Sequence, residues 1–211
     1  MTLDPVLSAK GTRLNKRGLE TRQSLLAVAR RCLAAGGPDA VSASLIAREA
    51  GVTWGTVQHQ FGDVDGLWAA LLEDVLGEGA ATALPVPASA DLGKRVEAVI
   101  GSLWAAMDLP AFRAIHNLRQ ALPRSRDELE ATYPLTAAAI VRWDESWRST
   151  MEQAFAGLAV DPVKLERVRS LLPGAMRGLH SEQYLSSYTD LAEARRGLVE
   201  AVTSYLEKGN R

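Results

Sequence analysis

Apolar residues recur at intervals of three and four along most of the chain, and no segment alternates as a half-buried strand does. The pattern predicts an all-α protein. A first helix is expected from about Glu20 to Ala35, with Leu25, Leu26, Ala29, Cys32 and Leu33 as its apolar stripe and Gly36-Gly37-Pro38 as its stop. The stretch from Ser42 to Phe61 reads as two short helices. Leu45, Ile46 and Ala50 face inward on one of them, Gly51 ends it, and Thr53 caps the next, whose Val57 and Phe61 pack back. A fourth helix runs from about Val64 to Gly79, where Leu67, Trp68, Leu71, Leu72, Val75 and Leu76 form the packing face.

Small and proline-bearing residues 80–91 mark a connection. Further helices are expected from about Leu92 to Met107 and from Pro110 to Ala121. A long one should run from about Ser125 to Phe155, with Pro134 kinking or interrupting it. Two more are expected over about 162–184, absorbing Pro173-Gly174, and from about Asp190 to Leu206.

A helix, a glycine-bearing turn and a second helix make a helix-turn-helix, whose second helix can enter a DNA major groove. Its outward residues here would be Trp54, Thr56, Gln58, His59 and Gln60. Glutamine can pair bidentately with adenine, and an indole can touch the thymine methyl group. Helix-glycine-helix arrangements also occur in ordinary helical domains, where such a surface would be merely solvated.

The segment resembles the DNA-binding domain of TetR/AcrR-type transcriptional regulators. The residues that carry the resemblance are Ser42, Ile46-Ala47, Ala50-Gly51-Val52-Thr53, Gly55-Thr56, His59 and Phe61, within a match over roughly residues 20–70. Two positions depart from the family pattern. Gln58 stands where an aromatic is usual, and Val64, between Asp63 and Asp65, stands about where a phosphate-contacting lysine is usual. The resemblance implies a three-helix DNA-binding domain at residues 19–63. It implies a larger helical ligand-binding and dimerisation domain at 64–211. Residues 1–18, with Lys10, Arg13, Lys16 and Arg17 among small and polar residues, are expected to form a flexible basic arm that either orders on DNA phosphates or is a merely solubilising tail.

Charge sharpens this picture. The net charge is −1, yet residues 1–60 hold eight Lys/Arg against four Asp/Glu. A basic head on an acidic body suits a protein that offers one end to nucleic acid. Ser42, Thr53, Thr56 and His59, with Lys10, Arg13 and Arg17 of the arm, are expected on phosphates, and Trp54, Gln58 and Gln60 on base edges. The sole cysteine, Cys32, permits no internal disulfide, and its apolar setting suits a packed thiol. No signal peptide and no apolar run of 18 residues is present, so a cytoplasmic location is expected.

In the body, Trp143, Trp147, Met151 and Phe155 recur at intervals of four. Trp104, Met107, Phe112, His116, Met176, His180 and Tyr184 add aromatic and soft side chains from neighbouring helices. Together they could line an apolar cavity for a hydrophobic or amphipathic effector, or simply form core and dimer seam. His116, Arg142, Asp144 and His180 are the candidate polar contacts. The resemblance assigns the homodimer interface to the last two helices, through Val163, Leu171, Leu172 and Leu179 and through Leu191, Ala194, Leu198 and Tyr205.

No CxxC, HExxH, phosphate-binding glycine loop or GxSxG occurs, so neither an enzyme nor a cofactor or metal site is expected. The resemblance implies a ligand-responsive repressor that binds a palindromic operator as a dimer. The alternative is a helical small-molecule-binding or interaction protein without specific operator binding.

Overall fold

The computed structural model describes residues 7–36, 42–77, 89–185 and 188–207. The described residues form ten α-helices: α1 (Lys16–Ala35), α2 (Ala43–Glu49), α3 (Trp54–Phe61), α4 (Val64–Gly77), α5 (Leu92–Met107), α6 (Pro110–Ala121), α7 (Arg126–Thr132), α8 (Pro134–Ala154), α9 (Pro162–Ser181) and α10 (Leu191–Glu207). The fold is all-α, with N-terminal helices in a helix-turn-helix arrangement followed by a larger set of helices, as expected. None of these helices is by itself long and apolar enough to cross a membrane.

Two differences from the predicted elements have local causes. The long helix expected from Ser125 to Phe155 is two helices, because Tyr133 leaves helical geometry (φ −134°, ψ 62°) immediately before Pro134. Proline's ring disfavours the α conformation in the residue before it, while suiting the first position of a new helix. The helix expected to reach residue 184 ends at Ser181 and tightens into a 3₁₀ turn over Glu182–Tyr184.

By their contacts the residues group into two compact units, Met1–Ala81 with Leu109–Asp144 and Thr82–Asp108 with Glu145–Arg211. The first is built around α1. Helix α6 packs along it, and α2, α3 and α4 close the other sides. Leu25, Leu33, Ile46, Val57, Leu67, Leu71 and Leu118 are sealed in its core. Polar side chains tie remote segments of this unit together. The Asn117 amide of α6 donates to Leu33 O and Gly36 O at 2.7 and 2.9 Å, satisfying carbonyls left free where α1 ends. In the second unit α5, α9 and α10 pack against one another. There the buried Arg95 guanidinium donates to Ala154 O, the last residue of α8, at 2.7 Å and to Ser89 O at 2.6 and 2.9 Å. A cation at a helix C-terminus meets the negative end of the helix dipole.

Candidate nucleic-acid interface

Helix α2 begins at Ser42, whose hydroxyl accepts the Leu45 N–H at 3.1 Å. It ends in a Schellman arrangement: Val52 N–H reaches Ala47 O at 3.0 Å, Gly51 N–H reaches Arg48 O at 3.0 Å, and Gly51 sits at φ +67°. That left-handed residue turns the chain within three residues. Thr53 then caps α3, its Oγ1 accepting from Thr56 N–H at 3.4 Å and lying 3.2 Å from the Thr56 hydroxyl.

Burial sets how α3 is presented. Val57 and Phe61 are buried against the core, whereas Thr53, Trp54, Gly55, Gln58 and His59 are exposed and Thr56 is half-buried. Trp54, with 36% of its surface exposed, and Gln58 stand one turn apart on the same line of the helix. An indole and a carboxamide are thereby offered together to solvent.

Gln60 is a correction. It was expected to face outward, but it is only 4% exposed and its Nε2 donates to Gly18 O at 3.2 Å. The physical reason is its spacing. Residues 57, 60 and 61 share one helix face, so the apolar neighbours carry Gln60 inside. Arg22 of α1 completes the lock, donating from Nη1 to Gln60 O at 2.7 Å and lying over the Phe61 ring at 4.3 Å. Burial pulls the Arg22 guanidinium below its ordinary pKa, opposed by the charges of Glu73 and Asp74.

The basic segment before α1 also departs from expectation. Residues 1–6 of the expected flexible arm lie outside the described residues. From Leu7 onward the chain is folded: Leu7 bridges Arg13, Ser8 N–H donates to Thr12 O at 2.8 Å, and Gly11 N–H donates to Ser8 O at 2.9 Å. Ser8 and Leu14 are buried, while Lys10, Arg13 and Arg17 are exposed.

Helix α3 ends at Gly62 (φ +88°). Asp63 then caps α4 by accepting Gly66 N–H at 2.9 Å, and Val64 is half-buried. Asp65 turns inward, accepting Leu135 N–H and Thr136 N–H at 2.9 and 2.8 Å.

The predicted ligand residues divide between the two units. Phe112, His116 and Trp143 belong to the first, where each is half-buried and Trp143 packs against the core. Of the polar candidates beside them, Arg142 pairs with Glu73, and Asp144 is exposed. The second unit holds the other six. Met107, Met151 and Met176 are fully packed, and the Trp147 indole donates to Arg169 O at 3.1 Å. Trp104 and His180 meet edge to face at 5.4 Å, with Arg195 lying 5.3 Å from the Trp104 ring centre. His180 Nε2 is 3.0 Å from Asp108 Oδ1, and Tyr184 lies 5.8 Å from the imidazole. Arg195 and Asp108 are additions from the structure. Asp108 lies far from its partner His180 in sequence, and Arg195 far from its partner Trp104, with no motif to link either pair.

Of the predicted dimer residues, Val163 and Leu171 are exposed at 58% and 57%, whereas Leu172 is 1% exposed and belongs to the internal core. Position 172 lies one residue on from 171, about 100° further round the helix, and faces inward. Leu179, Leu191, Ala194, Leu198 and Tyr205 are partly exposed. Tyr205 is tied to α9 in its own chain, its hydroxyl lying 3.2 Å from Arg167 and its carbonyl accepting from Lys164 at 2.8 Å.

Residues 25–71 match the family of bacterial regulatory proteins designated tetR. Comparison with curated proteins found no match. Among solved structures, a tetR-family transcriptional regulator from Streptomyces coelicolor is 22% identical, with a TM-score of 0.64 over 89% of this chain and 80% of that one. A transcriptional regulator from Rhodococcus sp. Rha1 is 21% identical, with a TM-score of 0.65 over 89% of this chain and 96% of that one. NalD of Pseudomonas aeruginosa, the secondary repressor of the MexAB-OprM multidrug efflux pump, is 18% identical, with a TM-score of 0.61 over 91% and 99% of the two chains. At such identities the likeness is one of fold.

Proposed function

We propose that this chain, whose residues 25–71 match the tetR family of bacterial regulatory proteins, is a cytoplasmic, homodimeric repressor released from a palindromic operator by a hydrophobic or amphipathic small molecule. The observation that carries the reading is the presentation of α3: a Schellman turn and a threonine cap fix its start, Val57 and Phe61 bury its inner face, and Trp54 and Gln58 stand exposed together. Residues 19–63 read DNA. Trp54 and Gln58 touch base edges, while Ser42, Thr53, Thr56 and His59 meet phosphates.

Residues 64–211 bind the effector and form the dimer. Exposed Val163 and Leu171 on α9 support a seam there, and an isologous pairing would set two α3 helices in successive major grooves. The aromatic group of Trp104, His180 and Tyr184, flanked by Asp108 and Arg195, supports an amphipathic effector with one polar end. Such a molecule acts only if its affinity differs between the DNA-competent state and the other.

The test is selection of bound sequences from random duplex DNA by the full chain. An enriched motif with two-fold symmetry is the expected result. Retention of DNA without any enriched motif would overturn operator recognition and favour an interaction protein with a basic surface.

A further inference from the structure

We propose that the turn Leu7–Arg13 is a DNA-backbone clamp fastened to the recognition helix, with Lys10 as its phosphate contact. The inference rests on the operator reading above. It differs from a loose basic arm in that the position of Lys10 is fixed before DNA arrives.

The turn is built as a short hairpin. Ser8 O accepts from Gly11 N–H, Gly11 takes φ +73°, and Thr12 O accepts from Ser8 N–H. A tight turn followed by a left-handed glycine is a recurrent hairpin connection. The Ser8 hydroxyl adds a bond from Thr12 N–H at 3.2 Å.

The turn docks on the C-terminal end of α3. Ala9 N–H donates to His59 O at 3.2 Å, one of the carbonyls that a helix end leaves free, and Ala9 Cβ would lie 3.5 Å from a Cβ placed on Gly62. The Gln60 bond to Gly18 O and the Arg22 bond to Gln60 O secure the same end of α3 to α1. Lys10, next to the docked Ala9, is therefore held beside His59, and both side chains are exposed.

Charge explains the need. The start of α4 offers Asp63, a half-buried Val64 and Asp65 where a cation would have to meet a phosphate, and both carboxylates are engaged in caps. Lys10 brings a positive charge to the recognition helix from the opposite side of the sequence. Each neutralised phosphate releases counterions, so such a contact strengthens binding and steepens its salt dependence without reading sequence.

The experiment titrates the duplex that the wild-type full chain selects from random DNA against wild type, Lys10→Ala, Lys10→Arg and Ala9→Pro across a salt series. Proline is favoured at the second position of a tight turn but lacks the N–H that reaches His59 O. Circular dichroism checks that each variant is folded. Lys10→Ala should bind about tenfold more weakly at physiological salt, with the slope of log K against log salt lowered by about one per protomer and the motif unchanged. Lys10→Arg should restore the slope, and Ala9→Pro should behave as Lys10→Ala does. Wild-type slope and affinity in Lys10→Ala would overturn the clamp while leaving operator binding in place. Wild-type behaviour in Ala9→Pro beside a weakened Lys10→Ala would overturn its docking. A wild type that selects no duplex would overturn the operator reading and the clamp with it.

Discussion

Asp65 and Thr136 hold each other by two hydrogen bonds: Thr136 N–H donates to the Asp65 carboxylate at 2.8 Å, and the Thr136 hydroxyl donates to Asp65 O at 3.2 Å. The second carboxylate oxygen takes Leu135 N–H at 2.9 Å. A residue in the first turn of α4, four positions after the end of α3, thus caps the N-terminus of α8 from outside it. Both side chains are buried, so the free N–H groups at the start of α8 have their charge partner out of water.

Replacing Asp65 with Ala should cost about 3 kcal/mol, because a charge-assisted pair of bonds is lost and buried donors stay unpaired. Asp65→Asn, which keeps one acceptor oxygen, should cost less. Urea denaturation of the full chain measures both. Equal stability of Asp65→Ala and wild type would mean that the cap contributes nothing.

Gly66 is required by packing. A Cβ there would lie 1.9 Å from the Phe61 carbonyl oxygen, which is backbone and cannot swing aside. Gly66→Ala should therefore force α3 and α4 apart and destabilise the fold by about 2 kcal/mol, a typical cost of overpacking. A thermal midpoint at or above that of wild type would contradict this.

Gly55 shows the opposite case. A Cβ at this exposed position would meet only Thr53 Oγ1, at an ordinary 3.7 Å. The fold gives no reason for glycine there, whereas close approach of a phosphate or base would. Gly55→Ala should hold or raise stability by up to about 1 kcal/mol while weakening binding to the selected duplex at least tenfold. Unchanged DNA affinity would remove Gly55 from the interface.

Gln58 and Gln60 should separate cleanly. Gln58→Ala should relax preference at one base pair by about 1–3 kcal/mol of discrimination. Gln60→Leu should leave the selected motif unaltered, because the Gln60 amide is turned to Gly18 O and its Oε1 is buried without a partner among the described residues. Repeating the duplex selection with each variant distinguishes them. A motif altered by Gln60→Leu and untouched by Gln58→Ala would reverse the assignment.

The elements were legible in the sequence where apolar periodicity and punctuation coincided. The ranges expected for α5 and α6 are those observed, each with its own start signal, Asp91 as a cap and Pro110 at the first turn. Helix α1 begins four residues before its expected start because its first turn, Lys16-Arg17-Gly18, has no apolar stripe and is set instead by Asn15 accepting from Gly18 N–H. The two helices within Ser42–Phe61 are legible because their caps and glycine turn are all local.

The polarity of Gln60 points outward, whereas its spacing from Val57 and Phe61 places it on the inner face. The folded turn at Leu7–Arg13 was hidden by its small polar composition, with only Gly11 to mark it. Pairings such as Asp65 with Thr136, Asn117 with Leu33 O, and His180 with Asp108 span some 70 to 85 positions. No local pattern encodes them, because a capping side chain needs a partner only in space.

Operator recognition through α3 is tested most directly by titrating the selected duplex, and a copy with its conserved half-site positions scrambled, at about 50 and 200 mM salt. The account predicts that both weaken as salt rises, while the selected duplex stays at least about 10³-fold tighter at the higher concentration and binds two protomers. Equal affinity for the two duplexes, falling together as salt rises, would contradict it.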